Sequence, residues 1–246
     1  MDIYFGAYWK QEFLTLGEFI ERLHSFVQKL QVLHPLLRNW QLVGDRPGKK
    51  LKIEFDLSNL RALAREYAWD RKAPKHWTSN LDKDSIPSLS SISEVGYRML
   101  IENGDEDERG DHHVSCQVRA GTSSPWLSNA VVISITDKSP LRQSEVAIQV
   151  LRVLVESWRP DSAVFTSQHF SDLTYQSDDV GSIGWMTYFA NPAISSALPK
   201  DVMQRPFGAH GVLISISPEM PLPGDAQAEE KAIRVAQALR NTDAVV

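Results

Sequence analysis

Asp111, His112 and His113 stand consecutively, and an Asp-His-His cluster of this kind can help hold two metal ions for phosphoester cleavage. Such a centre needs further carboxylates from other strands, and no Asp-x-Asp motif precedes this one to supply them. The triplet reads instead as a polar loop entering a strand, with a metal-dependent phosphoesterase as the least favoured reading of the chain. Pro160-Asp161 with Glu229 and Lys231 has the residue types of a restriction-type nuclease site. That chemistry needs both carboxylates on adjacent strands, whereas Glu229 and Lys231 fall in a helical pattern 68 residues beyond Asp161. Gly44 to Lys50 is one residue short of a phosphate-binding loop, and Lys50 stands where a magnesium-binding hydroxyl belongs. A nucleophile elbow at Ser182 would need glycine at position 180, which is Val180. Cys116, near His112 and His113, could form a thiolate pair, although a buried structural thiol is the commoner fate. His24, His34, His76, His169 and His210 are scattered without ligand spacing. The expectation is no catalytic residue, no metal and no cofactor.

Composition points the same way. The chain has 246 residues, 42% of them hydrophobic and 23% charged, within the range of ordinary globular proteins. A formal net charge of −5 repels phosphate backbones and favours a basic protein partner over nucleic acid. One cysteine leaves no internal disulfide. The start Met1-Asp2-Ile3-Tyr4 lacks the pattern of a secretory leader, and no apolar run reaches the ~18 residues of a membrane span. A cytoplasmic protein with no membrane contact is expected.

Two segments carry recognition chemistry. Residues 102–111 contain Glu102, Asp105, Glu106, Asp107, Glu108 and Asp111 against Arg109 alone, a local balance of −5 that equals the charge of the whole chain. A solvated connection between strands accounts for this run, and so does an anionic knob that steers a basic partner. The segment 171–181 mixes Asp172, Asp178 and Asp179 with Tyr175, the composition of an interface rim and anchor. The nine acids and one tyrosine so named, Arg109 aside, are the candidate partner-binding residues.

The elements that must position them follow from periodicity. Ile3–Trp9 predicts a strand, and Thr15 with Glu18 predicts a capping box before an amphipathic helix ending near His34-Pro35. A strand over 36–43, a turn at 44–48 and a helix over 58–67 come next. Residues 70–94 form a polar excursion around Trp77. Strands are expected at 97–102, 113–119 and 130–135, then a helix over 144–158 stopped by Pro160. Strands at 162–167, 184–189 and 212–216 and a helix over 226–239 complete the chain. The echo between 131–135 and 212–216, each ahead of a helix, admits two similar strand-rich halves each closed by a helix, though two independent strands explain one weak echo as well. The fold class is α+β, a mainly antiparallel sheet packed with about four helices in a single domain over 1–246. Trp40, Trp158 and Trp185, beside element boundaries, are expected in the core.

Five blocks taken together resemble a known family. They are Tyr4-Phe5-Gly6-Ala7-Tyr8-Trp9, His34-Pro35-Leu36 with Trp40, Trp158-Arg159-Pro160-Asp161, Gly184-Trp185-Met186-Thr187-Tyr188, and Gly211-Val212-Leu213-Ile214. Their order and spacing are similar to the immunity protein 52 family of bacterial polymorphic-toxin systems. That resemblance implies a cytoplasmic toxin inhibitor, half of a toxin–antitoxin pair. Its partner would be a cognate toxin with a restriction-endonuclease-like nuclease domain, often delivered by type VI secretion. It implies no catalytic residue. An adaptor or chaperone that loads an effector without neutralising it is the alternative.

Overall fold

The computed structural model describes residues 2–44, 48–68, 88–103, 110–124, 126–175, 181–222 and 224–240. In chain order they form β1 (Ile3–Trp9), α1 (Leu16–Leu33), β2 (Trp40–Val43), β3 (Lys50–Lys52), α2 (Leu60–Tyr67), β4 (Val95–Asn103), β5 (Val114–Thr122) and β6 (Asn129–Ile135). There follow α3 (Ser144–Trp158), β7 (Ser162–Ser167), α4 (Gln168–Thr174), β8 (Met186–Phe189), β9 (Met203–Phe207), β10 (Gly211–Ser215) and α5 (Ala226–Arg240). The fold is α+β with an antiparallel sheet. Two compact units divide the chain: Tyr8–Ile133, and Met1–Ala7 with Ser134–Val246.

In the first unit the strands run in the order β3-β2-β4-β5-β6. Alternation decides which face of β4 and β5 is buried. Tyr97, Met99 and Ile101 point inward opposite Ala120, Val118 and Cys116, whereas Arg98 and Leu100 are exposed. Helix α1 begins where the sequence says it should. Thr15 Oγ1 accepts the Glu18 backbone N–H at 3.2 Å, and the Glu18 carboxylate accepts the Thr15 N–H at 2.8 Å. Its apolar stripe, including Leu16, Phe19, Leu23, Phe26 and Leu30, is buried, and the Phe19 ring lies 5.4 Å from that of Tyr97. Helix α2 packs on α1, joined at the surface by paired hydrogen bonds of 2.8 Å from Arg61 to Glu21. Cys116 is buried, and burial pushes its thiol far above the ordinary range, so it stays protonated and inert.

The second unit carries the order β1-β7-β8-β10-β9. Phe5 of β1 stacks on Phe165 of β7 with centroids 4.1 Å apart, and Phe165 in turn meets Trp185 at 5.4 Å. Helix α3 buries Val150, Leu151, Leu154 and Trp158 and ends at Arg159, whose left-handed backbone (φ 50°) turns the chain before Pro160. Helices α4 and α5 share a core in which Phe170, Ala232, Val235 and Leu239 meet Val212 and Ile214. Gly184 is required by space: a Cβ there would stand 2.5 Å from the Phe165 carbonyl oxygen and from Val164 Cγ2. Gly211 is required in the same way, against the Tyr188 ring and the Phe189 carbonyl. The strands at 131–135 and 212–216 are each followed by a helix, α3 and α5, and both helices belong to this unit.

Three expectations are corrected. The strand read over 36–43 is only β2, because Pro35–Leu37 is a turn of 3-10 helix. Pro35 pre-sets that turn, and His34 Nδ1 accepts the Leu36 N–H at 3.2 Å. The segment 171–181 is not wholly a loop, since α4 runs to Thr174. Ser167 caps α4 by accepting the Phe170 N–H at 3.3 Å, and Phe170 is buried beneath it. Short strands β3 and β9 flank their neighbours where no strand was expected.

Candidate functional site

Glu102 lies within β4, so the acidic run starts inside the sheet rather than in a solvated loop. It stands opposite Gln41 and Ser115, is buried, and carries a Lys50 ion pair of 2.6 Å. The next residue, Asn103, closes the root of the β4–β5 connection. Its amide donates to the His112 carbonyl at 2.6 Å, and its oxygen accepts the Val114 N–H at 3.0 Å. Asp111 sits exposed in the turn just before Val114, where the His113 N–H donates to the Gly110 carbonyl at 3.1 Å. Glu102 and Asp111 are thus brought to the same hairpin root, the first buried and the second exposed. Asp105, Glu106, Asp107 and Glu108 lie outside the described residues.

Asp172 and Tyr175 are placed by α4, one turn apart. Asp172 Oδ1 accepts from Gln168 Nε2 at 2.7 Å, the i, i+4 spacing that joins side chains on one helix face. Tyr175 is 54% exposed at the C-cap, with Leu173 half-exposed beside it. Under the helix a chain of hydroxyls runs from Tyr4 to Ser171 at 2.9 Å and on to Ser182 at 2.8 Å. His169 Nε2 meets Glu229 Oε1 of α5 at 2.8 Å, and the same oxygen accepts the Gly224 N–H at 2.8 Å. His169 first and Gly224 second hold the Glu229 carboxyl below the ordinary carboxylate range. Asp178 and Asp179 lie outside the described residues.

Ser182 hydrogen-bonds to Ser171, whose hydroxyl also accepts from Tyr4. Glu229 is engaged by His169, and Lys231 and Arg234 reach Asp201, so the acid and lysine weighed for nuclease chemistry are held in surface ion pairs of α5. Among the described residues no three His, Cys, Asp or Glu side chains converge as a metal-binding set. No helix among them is long and apolar enough to cross a membrane.

The sequence reading missed a different kind of residue. Phe13, Leu89, Ile92 and Trp126, all in the first unit, are exposed by 70, 54, 52 and 89%. The available signal was large apolar residues in segments with no strand or helix period, which a search for elements passes over.

The model of the Immunity protein 52 family matches residues 2–242, and the chain belongs to that family, a family of immunity proteins. Among solved structures, a Pseudomonas aeruginosa T6SS protein, PA0821, is similar in fold with a TM-score of 0.55 and 12% identity. The match covers 97% of this chain and 72% of that one. No curated protein sequence matches.

Proposed function

We propose that this protein binds and neutralises a cognate toxin of the nuclease type in the cytoplasm of the cell that makes both. The observation that carries the reading is membership of an immunity-protein family over residues 2–242. The type VI link of the similar fold agrees with a secreted toxin as the partner. A net charge of −5 suits an inhibitor whose target must attract nucleic acid with a basic face.

Co-expression with the cognate toxin tests it. Restored growth and intact DNA are the expected result. An effector-loading adaptor would bind the toxin and leave the cells dying, and that outcome would replace the reading.

A further inference from the structure

An antiparallel strand turns the N–H and C=O groups of successive residues to opposite edges. Along β10 the phase is fixed at its end, where the Ile216 N–H donates to the Trp185 carbonyl at 3.0 Å. That bond continues the β8 register, in which Ile214 stands opposite Thr187 and Val212 opposite Phe189. Residues 212, 214 and 216 therefore turn their polar groups to β8, and Gly211, Leu213 and Ser215 turn theirs to β9. Their partners on β9 are Phe207, Arg205 and Met203. Gln204 and Pro206 are left to face the outer edge.

Among the described residues β9 pairs with β10 alone, and Met203, Gln204, Arg205 and Pro206 are all exposed. An edge of this kind is a template for another strand unless something blocks it. At Gln204 an incoming strand would find both a donor and an acceptor. Two residues on, Pro206 offers a carbonyl but no N–H, and its ring stands in the way. Beyond it the left-handed Gly208 (φ 64°) turns the chain into the hairpin with β10. In the other direction the next outward position is Val202, whose N–H already donates to the Pro199 carbonyl at 3.1 Å. The ladder to β10 loses nothing by the proline, because the missing N–H lies on the side away from it.

A second copy of the chain is the strand donor always at hand. Two-fold pairing of β9 with β9 would set Gln204 of each copy against Pro206 of the other. Each Gln204 carbonyl would then lack its donor. The same pairing sets Arg205 against Arg205 at the axis, like charges directly opposite one another. We infer that Pro206, backed by Arg205, closes the β9 edge to strand addition and so keeps the chain from associating with itself through its sheet. The inference concerns self-association and stands apart from the proposed partner.

Sedimentation of the full chain over a range of concentrations tests it. Pro206→Val restores the absent donor, and Pro206→Val/Arg205→Thr also removes the opposed charges. The double variant should associate at concentrations at least about tenfold below any at which the unaltered chain does, with the single variant between them. A folded double variant that sediments like the unaltered chain overturns the inference. So does association already present in Arg205→Thr alone, because the charge and not the proline would then be the block. Amide hydrogen exchange supplies an arm that needs no variant. In the unaltered chain the Gln204 N–H should exchange as an open amide, while those of Arg205 and Phe207 are protected by β10. Slow exchange at Gln204 overturns the inference, because the edge would then be paired already.

Discussion

Lys50 of β3 and Glu102 of β4 meet at 2.6 Å although β2 lies between their strands. The pair is diagonal over β2, since Gln41 stands opposite Glu102 and Val43 opposite Lys50. The Glu102 side chain is 11% exposed and that of Lys50 31%, so the charges are largely but not fully desolvated. Removing one partner strands the other in a poorly solvated place. Glu102→Ala should therefore cost about 1–2 kcal/mol, discounted for the solvent that reaches Lys50. Lys50→Ala should cost less, and the double variant less than the sum of both. Urea unfolding of the four proteins measures the coupling. Additive losses would mean that the pair contributes nothing and that Glu102 is available to a partner.

Trp40, Trp158 and Trp185 are buried to 0, 1 and 2% exposure, as expected from their places at element boundaries. Trp185 adds a hydrogen bond from Nε1 to the Ser217 carbonyl at 2.9 Å and ring contact with Phe165. Trp185→Ala should cost about 3–5 kcal/mol and Trp185→Phe much less, since the larger part is cavity and lost burial. Thermal melting checks both. A Trp185→Ala variant that melts normally but binds toxin weakly would move this residue from the core to the interface.

The acidic run predicts a kinetic effect. Neutralising Asp105, Glu106, Asp107 and Glu108 together should slow association with the toxin while leaving dissociation and folding nearly unchanged. The difference should shrink toward nothing near 1 M salt, where the Debye length falls to ~3 Å. Association rates at two salt concentrations decide it. Equal rates at low salt would reduce the run to a solvated connection.

How far the sequence carried can be seen in particular elements. Helix α3 and strands β1 and β7 fall where periodicity put them, and α1 starts beside its capping box, because caps and a long apolar period are local signals. Strands β3 and β9 escaped since Lys50-Leu51-Lys52 is too short to show a period and β9 carries Arg205 and Pro206 on an exposed strand. Helix α4 is held by Ser167 and by burial of Phe170 rather than by its own pattern. The family blocks were legible because Gly184, Gly211 and Trp185 are fixed by close packing. Phe13 and Trp126 were not, because their exposure arises only when distant segments are joined by hydrogen bonds.

The central claim is inhibition by binding, and one titration tests it most directly. DNA cleavage by the purified toxin domain should fall in proportion to added protein and reach zero at a fixed stoichiometry, without metal or cofactor being consumed. Cleavage that persists when all the toxin is bound, or toxin that is never bound, would contradict the account.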